Sequence, residues 1–230
     1  MSRGLGDVYK RQDLVLVDTG IIANAPRRLF AAGLGDALST WFEARACKNS
    51  GARTMARGNV SNTGLMMARL CYDLLMEKGR DALAAVERHE VTPALEDVVE
   101  ATIYLSGLGF ENGGLAAAHA VNDGFAQEPQ AHGMYHGEKV AFGTLVQLVL
   151  EKAPQEELEQ VLAFLRDTGL PLTLAQLGVK EIVPETLKKV AEAAVVPTQS
   201  TKNLRADITA QEVYDAILEA DRIGRDYLAR

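Results

Sequence analysis

The sequence is poor in cysteine, in histidine and in long apolar runs. Its 230 residues include two cysteines and four histidines. Cys47 and Cys71 each lie in an apolar pattern of helical spacing, which favours reduced core thiols over a disulfide and indicates a reducing cytosol. The apolar run 140–150 is interrupted by Gly143 and Gln147, and no run reaches the ~18 residues that a transmembrane helix needs. No membrane partner is therefore expected.

Dense clusters of lysine and arginine are also absent. The chain carries 24 basic and 31 acidic residues, which gives a net charge of −7. Such a chain lacks the electrostatic footprint for nucleic acid or an anionic bilayer. Since 47% of its residues are hydrophobic, it can bury a sizeable core. We predict a cytoplasmic globular protein that acts on a small molecule.

The first twelve residues differ from the rest of the chain. MSRGLGDVYKRQ has no core-facing period and lacks the apolar segment of a signal peptide. It resembles the translation of a sequencing-library adaptor, so residues 1–12 are interpreted as a non-native tail. The β-branched run from Asp13 to Asp18 predicts a buried strand without a downstream partner. Residues 13–25 are interpreted as a strand stub and linker, whose sheet belongs to sequence before Asp13.

From Pro26 onward the punctuation is helical and predicts an irregular all-α domain of about nine helices over residues 26–230. Pro26 and Asp36 each begin a segment, and Gly51 ends the second. Thr209 and Glu212 form a capping box for the last helix, which runs nearly to the end of the chain. Five more helices are predicted over 93–105, 115–123, 136–152, 154–168 and 184–195.

A further helix carries a stripe of apolar side chains. Met66, Leu70 and Leu74 recur at intervals of four residues, with Met67, Cys71 and Leu75 beside them, and Gly79 ends the helix. The stripe is interpreted as part of the core.

Three of the four histidines are clustered. His119 lies in an alanine-rich helix, where a satisfied core histidine is the simpler interpretation. His132 and His136 are four residues apart, but Gly133 and Gly137 disfavour one helix through both. Two imidazoles on adjacent elements can converge as a Zn²⁺ site requires, and a catalytic zinc then needs a third ligand, often a carboxylate.

Asp36 is the strongest carboxylate candidate for that third ligand. It lies at a predicted helix start, between glycines and an apolar face. A simple N-cap is the commoner role of aspartate at such a place. Spacing alone does not favour Asp36 over Asp123 or Glu138, so the residues by themselves predict a zinc site whose third ligand is open.

Three longer segments carry a family resemblance. They are VDTGIIANAPRRLFAAGLGDALSTWFEARAC, VTPALEDVVEATIYLSGLGFENGGLAAAHAVNDG and HGMYHGEKVAFGTLVQLVLE. These segments resemble the glycerol dehydrogenases, a family of the iron-containing alcohol dehydrogenase superfamily with the dehydroquinate-synthase-like fold, and the similarity runs from about Asp13 to the C-terminus. The resemblance implies a two-domain enzyme, with an N-terminal α/β domain that binds NAD and a helical C-terminal domain that carries the metal, of which only the second is present.

The resemblance also implies site residues. It places the zinc ligands, which also bind substrate, on Asp36, His119 and His136, with His132 as a neighbour only. Relatives that use iron have a further histidine where this sequence has Thr40, which favours the three-ligand zinc form. The residues of the NAD site cannot be assigned, and a homo-oligomer is expected.

The implied reaction is the oxidation of glycerol to dihydroxyacetone, with NAD as the hydride acceptor. A sister enzyme that acts on another diol or on a glycerol phosphate is an alternative, although the stretch around His119 and His136 offers only Lys139 as a basic residue that could meet a phosphate. An inactive, metal-stabilised helical interaction domain is the other alternative. By itself, the chain is expected not to oxidise glycerol.

Overall fold

Helices follow one another from Thr19 to Leu228 in the computed structural model, which describes residues 14–230. The interpretation of residues 1–12 as a non-native tail lies outside the described residues. Within those residues the only β pairing is an isolated bridge between Arg53 and Asn59. The prediction of an irregular all-α domain is confirmed.

The α-helices differ widely in length. In chain order they are α1 (Thr19–Ala23), α2 (Arg27–Ser50), α3 (Asn62–Glu87), α4 (Pro93–Glu100), α5 (Ser106–Gly113), α6 (Ala117–Gly124), α7 (His136–Glu151), α8 (Gln155–Thr168), α9 (Pro184–Ala194) and α10 (Ala210–Leu228). A π-helical turn, Ala101–Leu105, joins α4 to α5 without a break, so the helix predicted to end at Leu105 continues to Gly113. When α4 and α5 are counted as one, residues 14–230 contain nine α-helices.

Residues 14–18 precede α1 and form no strand. The side chains of Leu14 and Leu16 are 78% and 88% exposed. A strand needs a neighbour to satisfy its backbone groups, and the described part of the chain contains none for this segment. Because the partner was expected before Asp13, outside the described residues, the strand stays a prediction. Asp18 instead caps α1, since its side chain accepts a hydrogen bond from the backbone N–H of Gly20.

The long helix α2 is continuous, which corrects the prediction that Asp36 begins a second segment. Pro26 is the residue before the first turn, and Gly51 ends the helix in the left-handed conformation, with φ of 73°. A glycine such as Gly35 costs an isolated helix about 1 kcal/mol relative to alanine. Burial of one face of α2 outweighs this cost. That face includes Leu34, Leu38 and Phe42.

Helix α3 turns most of its apolar stripe to the core, since Leu75 is buried and Met67 and Leu74 pack against the core. Met66 and Leu70 are 73% and 48% exposed, so the interpretation of both as core is wrong, whereas Cys71 is buried. The reason is the close approach of α5, on which α3 packs with small residues. A Cβ added to Gly64 would lie 2.6 Å from the Cβ of Asn112. Met66, two residues from Gly64, lies on another side of the helix and points to solvent. Gly79, which was predicted to end this helix, is buried inside it, and the helix continues to Glu87.

Other local signals agree with the sequence. Thr92 caps α4 through the backbone N–H of Leu95, and Thr209 and Glu212 form the predicted capping box of α10. One hydrophobic core connects the helices, and it contains the four fully buried phenylalanines Phe42, Phe125, Phe142 and Phe164.

The two cysteines are free and buried, as predicted. None of the helices in the described residues is both long enough and apolar enough to cross a membrane.

Candidate metal centre

Three helices bring Asp36, His119 and His136 together. Asp36 lies in the middle of α2, His119 in the first turn of α6, and His136 is the first residue of α7. One potential ligand atom from each residue lies within 4.8 Å of the other two. Oδ1 of Asp36 is 3.3 Å from Nε2 of His119 and 3.3 Å from Nε2 of His136. The structure thus groups the three residues that the resemblance proposes as ligands.

The crossing of α2 and α7 explains why Asp36 and His136 are neighbours. A Cβ added to Gly137 would lie 1.8 Å from the backbone oxygen of Ala32, and one added to Gly35 would lie 2.6 Å from the backbone oxygen of Gly137. Any larger residue at Gly137 would force the two backbones apart. Because each glycine is adjacent in sequence to a site residue, the close crossing places Asp36 beside His136.

A second close crossing positions α6. A Cβ added to Gly143 would lie 2.4 Å from the backbone oxygen of Ala118. The backbone of α6 therefore rests directly on α7, next to His119. The start of α7 itself is determined by Glu138, whose carboxylate accepts a hydrogen bond from the backbone N–H of Tyr135 at 2.7 Å.

The first turn of α6 is capped by buried side chains from two other helices. A helix start leaves four backbone N–H groups without intrahelical partners. Oε1 of Glu43 accepts from Ala116 N at 2.8 Å and from His119 N at 3.0 Å. Oε1 of Gln147 accepts from the two N–H groups between them, each at 3.0 Å. Glu43 and Gln147 are both fully buried, so His119 is held by a rigid end of the helix.

Glu43 also contacts the imidazole of His119. Oε2 of Glu43 is 2.6 Å from Nδ1 of His119, which leaves Nε2 directed at Asp36. Glu43 is not among the site residues that the sequence predicts. A signal was present, since Glu43 follows Asp36 by seven residues, two helical turns, and therefore lies on the same face of α2. Seven-residue spacing alone does not distinguish a buried carboxylate from one at the edge of a helix.

The charges of the site depend on one another. Burial alone raises the pKa of Asp36, but the adjacent imidazoles of His119 and His136 outweigh it and hold that pKa well below its usual range. Burial alone lowers the pKa of His119, but Glu43 and Asp36 outweigh it and raise the pKa to about 10. Asp36 is therefore ionised at neutral pH, and the site attracts positive charge.

The donor set fits a zinc ion. Oδ1 of Asp36 is buried and has no hydrogen-bond partner, a condition that is rare for a carboxylate oxygen unless an ion or water satisfies it. Ligand atoms at ~2.0–2.1 Å from a tetrahedral metal lie ~3.3–3.4 Å apart. The two distances from Asp36 Oδ1, 3.3 Å each, match this value. Two imidazoles and a carboxylate are also a usual set for a catalytic zinc with an open fourth position.

The other candidates from the sequence have different partners. Nε2 of His132 is 3.1 Å from the backbone oxygen of Ala126. Glu138 forms an ion pair with Arg28, and Asp123 accepts a hydrogen bond from the amide of Gln199 at 3.1 Å. Of the three candidate carboxylates, Asp36 is thus the one that faces the two imidazoles.

Thr40 follows Asp36 by one helical turn. Its hydroxyl forms a hydrogen bond with the hydroxyl of Ser106 at 2.8 Å, and the residue is buried. A threonine hydroxyl engaged in this way is a poor substitute for the imidazole nitrogen that a soft or borderline metal prefers. The arrangement agrees with a protein ligand set of three.

The sequence is similar to curated glycerol dehydrogenases, although no family model matches it. It is 57% identical over 216 residues to a glycerol dehydrogenase of Escherichia coli O6:H1, an alignment that covers 94% of this chain and 59% of that relative. The chain thus spans about three fifths of the length of that relative. The resemblance seen in the sequence is confirmed at this level.

Solved structures give the same result for the fold. A probable glycerol dehydrogenase from Sinorhizobium meliloti 1021 aligns with a TM-score of 0.89 at 44% identity, over 93% of this chain and 60% of that chain. An iron-containing alcohol dehydrogenase from Thermococcus thioreducens aligns with a TM-score of 0.63 at 16% identity, over 89% of this chain and 53% of that chain. The second likeness concerns the fold alone.

Proposed function

We propose that this chain supplies the metal-binding helical part of a glycerol dehydrogenase, in which Asp36, His119 and His136 hold a catalytic Zn²⁺. The observation that carries the proposal is the buried, unpartnered Oδ1 of Asp36 at 3.3 Å from both imidazole nitrogens. Residues 26–230 would form this metal-binding domain.

The proposed reaction oxidises glycerol to dihydroxyacetone. A zinc ion at the site would lower the pKa of a substrate hydroxyl, which favours loss of hydride from the carbon that bears it. Each side chain of the site would have its own role in this step. Asp36 would offset one of the two positive charges of the metal, and Glu43 holds the ring of His119. The side chain of His136 is 53% exposed, so a small polyol can approach the site from solvent.

NAD is the proposed hydride acceptor. The dehydrogenase names of the relatives support a redox reaction, and the resemblance supplies NAD as its cofactor. Residues 14–230 contain no sheet, whereas a Gly-rich turn between a strand and a helix is the usual dinucleotide site. The pyrophosphate of NAD would therefore be bound by a segment outside the described residues.

Metal analysis and a chimera test the proposal together. We expect the purified 230-residue chain to bind one zinc ion and to show no NAD reduction with glycerol. A chimera in which this chain replaces the corresponding part of the Escherichia coli relative should reduce NAD with glycerol. The Asp36→Ala version of the chimera should not, because the metal loses its one carboxylate ligand.

The outcomes separate the parts of the proposal. A chain that folds but binds no zinc contradicts the metal centre. A zinc-loaded chimera that oxidises 1,2-propanediol or glycerol 3-phosphate but not glycerol contradicts the substrate. Glycerol-dependent NAD reduction by the 230-residue chain alone contradicts the assignment of the NAD site to another segment.

A further inference from the structure

We propose that Glu43 is a positioning residue, which orients the imidazole of His119 so that Nε2 is presented to the metal. This inference rests on the proposed function for the identity of the metal centre. Glu43 would not itself bind the metal. It acts through its contacts with α6.

Glu43 contacts the ring of His119 directly. Oε2 of Glu43 lies 2.6 Å from Nδ1 of His119. An ionised carboxylate accepts hydrogen bonds but cannot donate them, so Nδ1 carries the hydrogen. Nε2, on the opposite side of the ring, then points to Asp36 at 3.3 Å. Such carboxylate–histidine pairs fix the ring and increase the basicity of the ligand nitrogen.

Glu43 is itself held in place by burial and by hydrogen bonds. It is fully buried, and its other oxygen, Oε1, accepts from the backbone N–H groups of Ala116 and His119. Ser39 adds a hydrogen bond to Oε2 at 3.4 Å. The same carboxylate therefore holds both the backbone and the ring of His119, and the ring cannot turn without breaking the contact.

A comparison of Glu43 with Gln147 distinguishes the positioning of His119 from simple helix capping. It is also fully buried and also caps the first turn of α6, through Ala117 and Ala118. Its amide group donates to Glu151 at 2.8 Å, not to an imidazole. Loss of Gln147 therefore removes caps from the same helix end without touching the ring of His119.

The test is Glu43→Gln in the 230-residue chain. The two backbone donors keep the amide oxygen of the new side chain at the position of Oε1, so its NH₂ group faces Nδ1 of His119 and cannot accept the hydrogen there. The ring must then rotate or move its hydrogen to Nε2, and both changes weaken Nε2 as a ligand. We expect zinc affinity to fall ~10–100-fold, measured by competition with a chelator.

Proton NMR of the histidine-labelled chain gives a readout that does not depend on the metal. In the parent chain, a slowly exchanging Nδ1–H resonance of His119 should be present with and without zinc. It should disappear in Glu43→Gln. The matched control, Gln147→Met, should lower the unfolding temperature but keep both this resonance and the zinc affinity of the folded chain within about twofold.

Two results would overturn the inference. One is a Glu43→Gln chain that retains its zinc affinity within about twofold and its Nδ1–H resonance. The other is an equal loss of affinity in Gln147→Met, which would assign the effect to capping. A parent chain that shows the resonance but binds no zinc would contradict the proposed metal centre and not the hydrogen bond of Glu43.

Discussion

The imidazoles of His119 and His136 meet one carboxylate oxygen, but they differ in their surroundings. The side chain of His119 is 21% exposed and that of His136 is 53% exposed. Only His119 has a buried carboxylate, Glu43, on its other nitrogen. A substitution at His136 therefore tests metal binding with little disturbance of the core, whereas one at His119 also leaves Glu43 without its partner.

We predict that His136→Ala and His119→Ala each reduce zinc affinity by more than the ~10–100-fold that loss of a ligand's hydrogen-bond partner causes. Zinc per folded chain after dialysis against a weak chelator measures this loss. The control is His132→Ala, which removes a histidine that contacts the backbone oxygen of Ala126 and should retain zinc. Equal losses in His132→Ala and His136→Ala would contradict the ligand assignment.

The two thiols allow a prediction about reactivity. Burial raises the pKa of Cys47 to about 12, with a smaller effect of Glu43, and burial raises the pKa of Cys71 to about 12. The thiolate is the reactive form, so both thiols should react slowly with a disulfide reagent at pH 8. In guanidinium chloride, two thiols per chain should react rapidly. Fast reaction of one thiol in the folded chain would show that its surroundings are open.

The raised thiol pKa values also determine how stability depends on pH. A group whose pKa is higher in the folded than in the unfolded state stabilises the fold fully below the unfolded pKa, which is ~8.5 for cysteine. That contribution is lost as pH rises towards the folded value of about 12. The midpoint of urea unfolding should thus fall less between pH 8 and 10 in a Cys47→Ala, Cys71→Ala chain than in the parent.

Among the helices, the crossing of α2 with α7 has the strictest requirement. Gly137→Ala would place a Cβ at 1.8 Å from the backbone oxygen of Ala32, and the helices must separate to admit it. We predict a loss of ~1–3 kcal/mol in the free energy of unfolding, typical of overpacking. Zinc affinity should fall as well, because the separation moves His136 away from Asp36. Urea unfolding and chelator competition measure the two effects.

Gly133→Ala is the matched control for this crossing. An added Cβ at Gly133 meets nothing within 4 Å, although the position lies only four residues earlier, just before α7. Its effect on unfolding should stay within about 0.5 kcal/mol, as for most surface changes. If both alanine variants behave alike, steric contact at Gly137 does not determine the distance between α2 and α7.

In the whole molecule, α2 has a central position, since it packs against α3, α5, α6 and α7. Leu38 on this helix is fully buried, whereas Leu29 is 48% exposed. Leu38→Ala leaves a cavity between several helices and should cost ~2–5 kcal/mol of the free energy of unfolding. Leu29→Ala should cost no more than ~0.5 kcal/mol. Similar urea midpoints for both variants would contradict the central position of α2.

Local chemistry was sufficient to predict many helix ends. The capping box of Thr209 and Glu212, the cap at Thr92 and the terminal Gly51 are interactions within about five residues, so the sequence contains all of their partners. The existence of most helices follows from the same signals and from apolar periodicity. Their lengths follow less well, since α2 is continuous through Asp36 and α3 continues past Gly79. The all-α class needed nothing further.

The tertiary structure decided which face and which segment each residue belongs to. Met66 and Leu70 follow the helical period but are exposed, because α5 approaches α3 on a face of small residues. Asp36 lies inside a helix and not at its start, because burial of α2 compensates for the glycines that local propensity treats as a break. Periodicity reports that a helix has an apolar face, but only packing selects the partner.

For the candidate site, the residues alone predicted histidines that could bind zinc and made Asp36 the strongest carboxylate candidate, and the resemblance selected Asp36 over Asp123 and Glu138. The partner of His119 could not be predicted in this way, since Glu43 lies 76 residues earlier in the chain. Its contact exists only because close crossings at Gly137 and Gly143 bring α2, α6 and α7 together. Helix caps join residues that are close in the sequence, so the sequence determines them. The convergence of the three site residues depends on distances between helices, which only the folded chain defines.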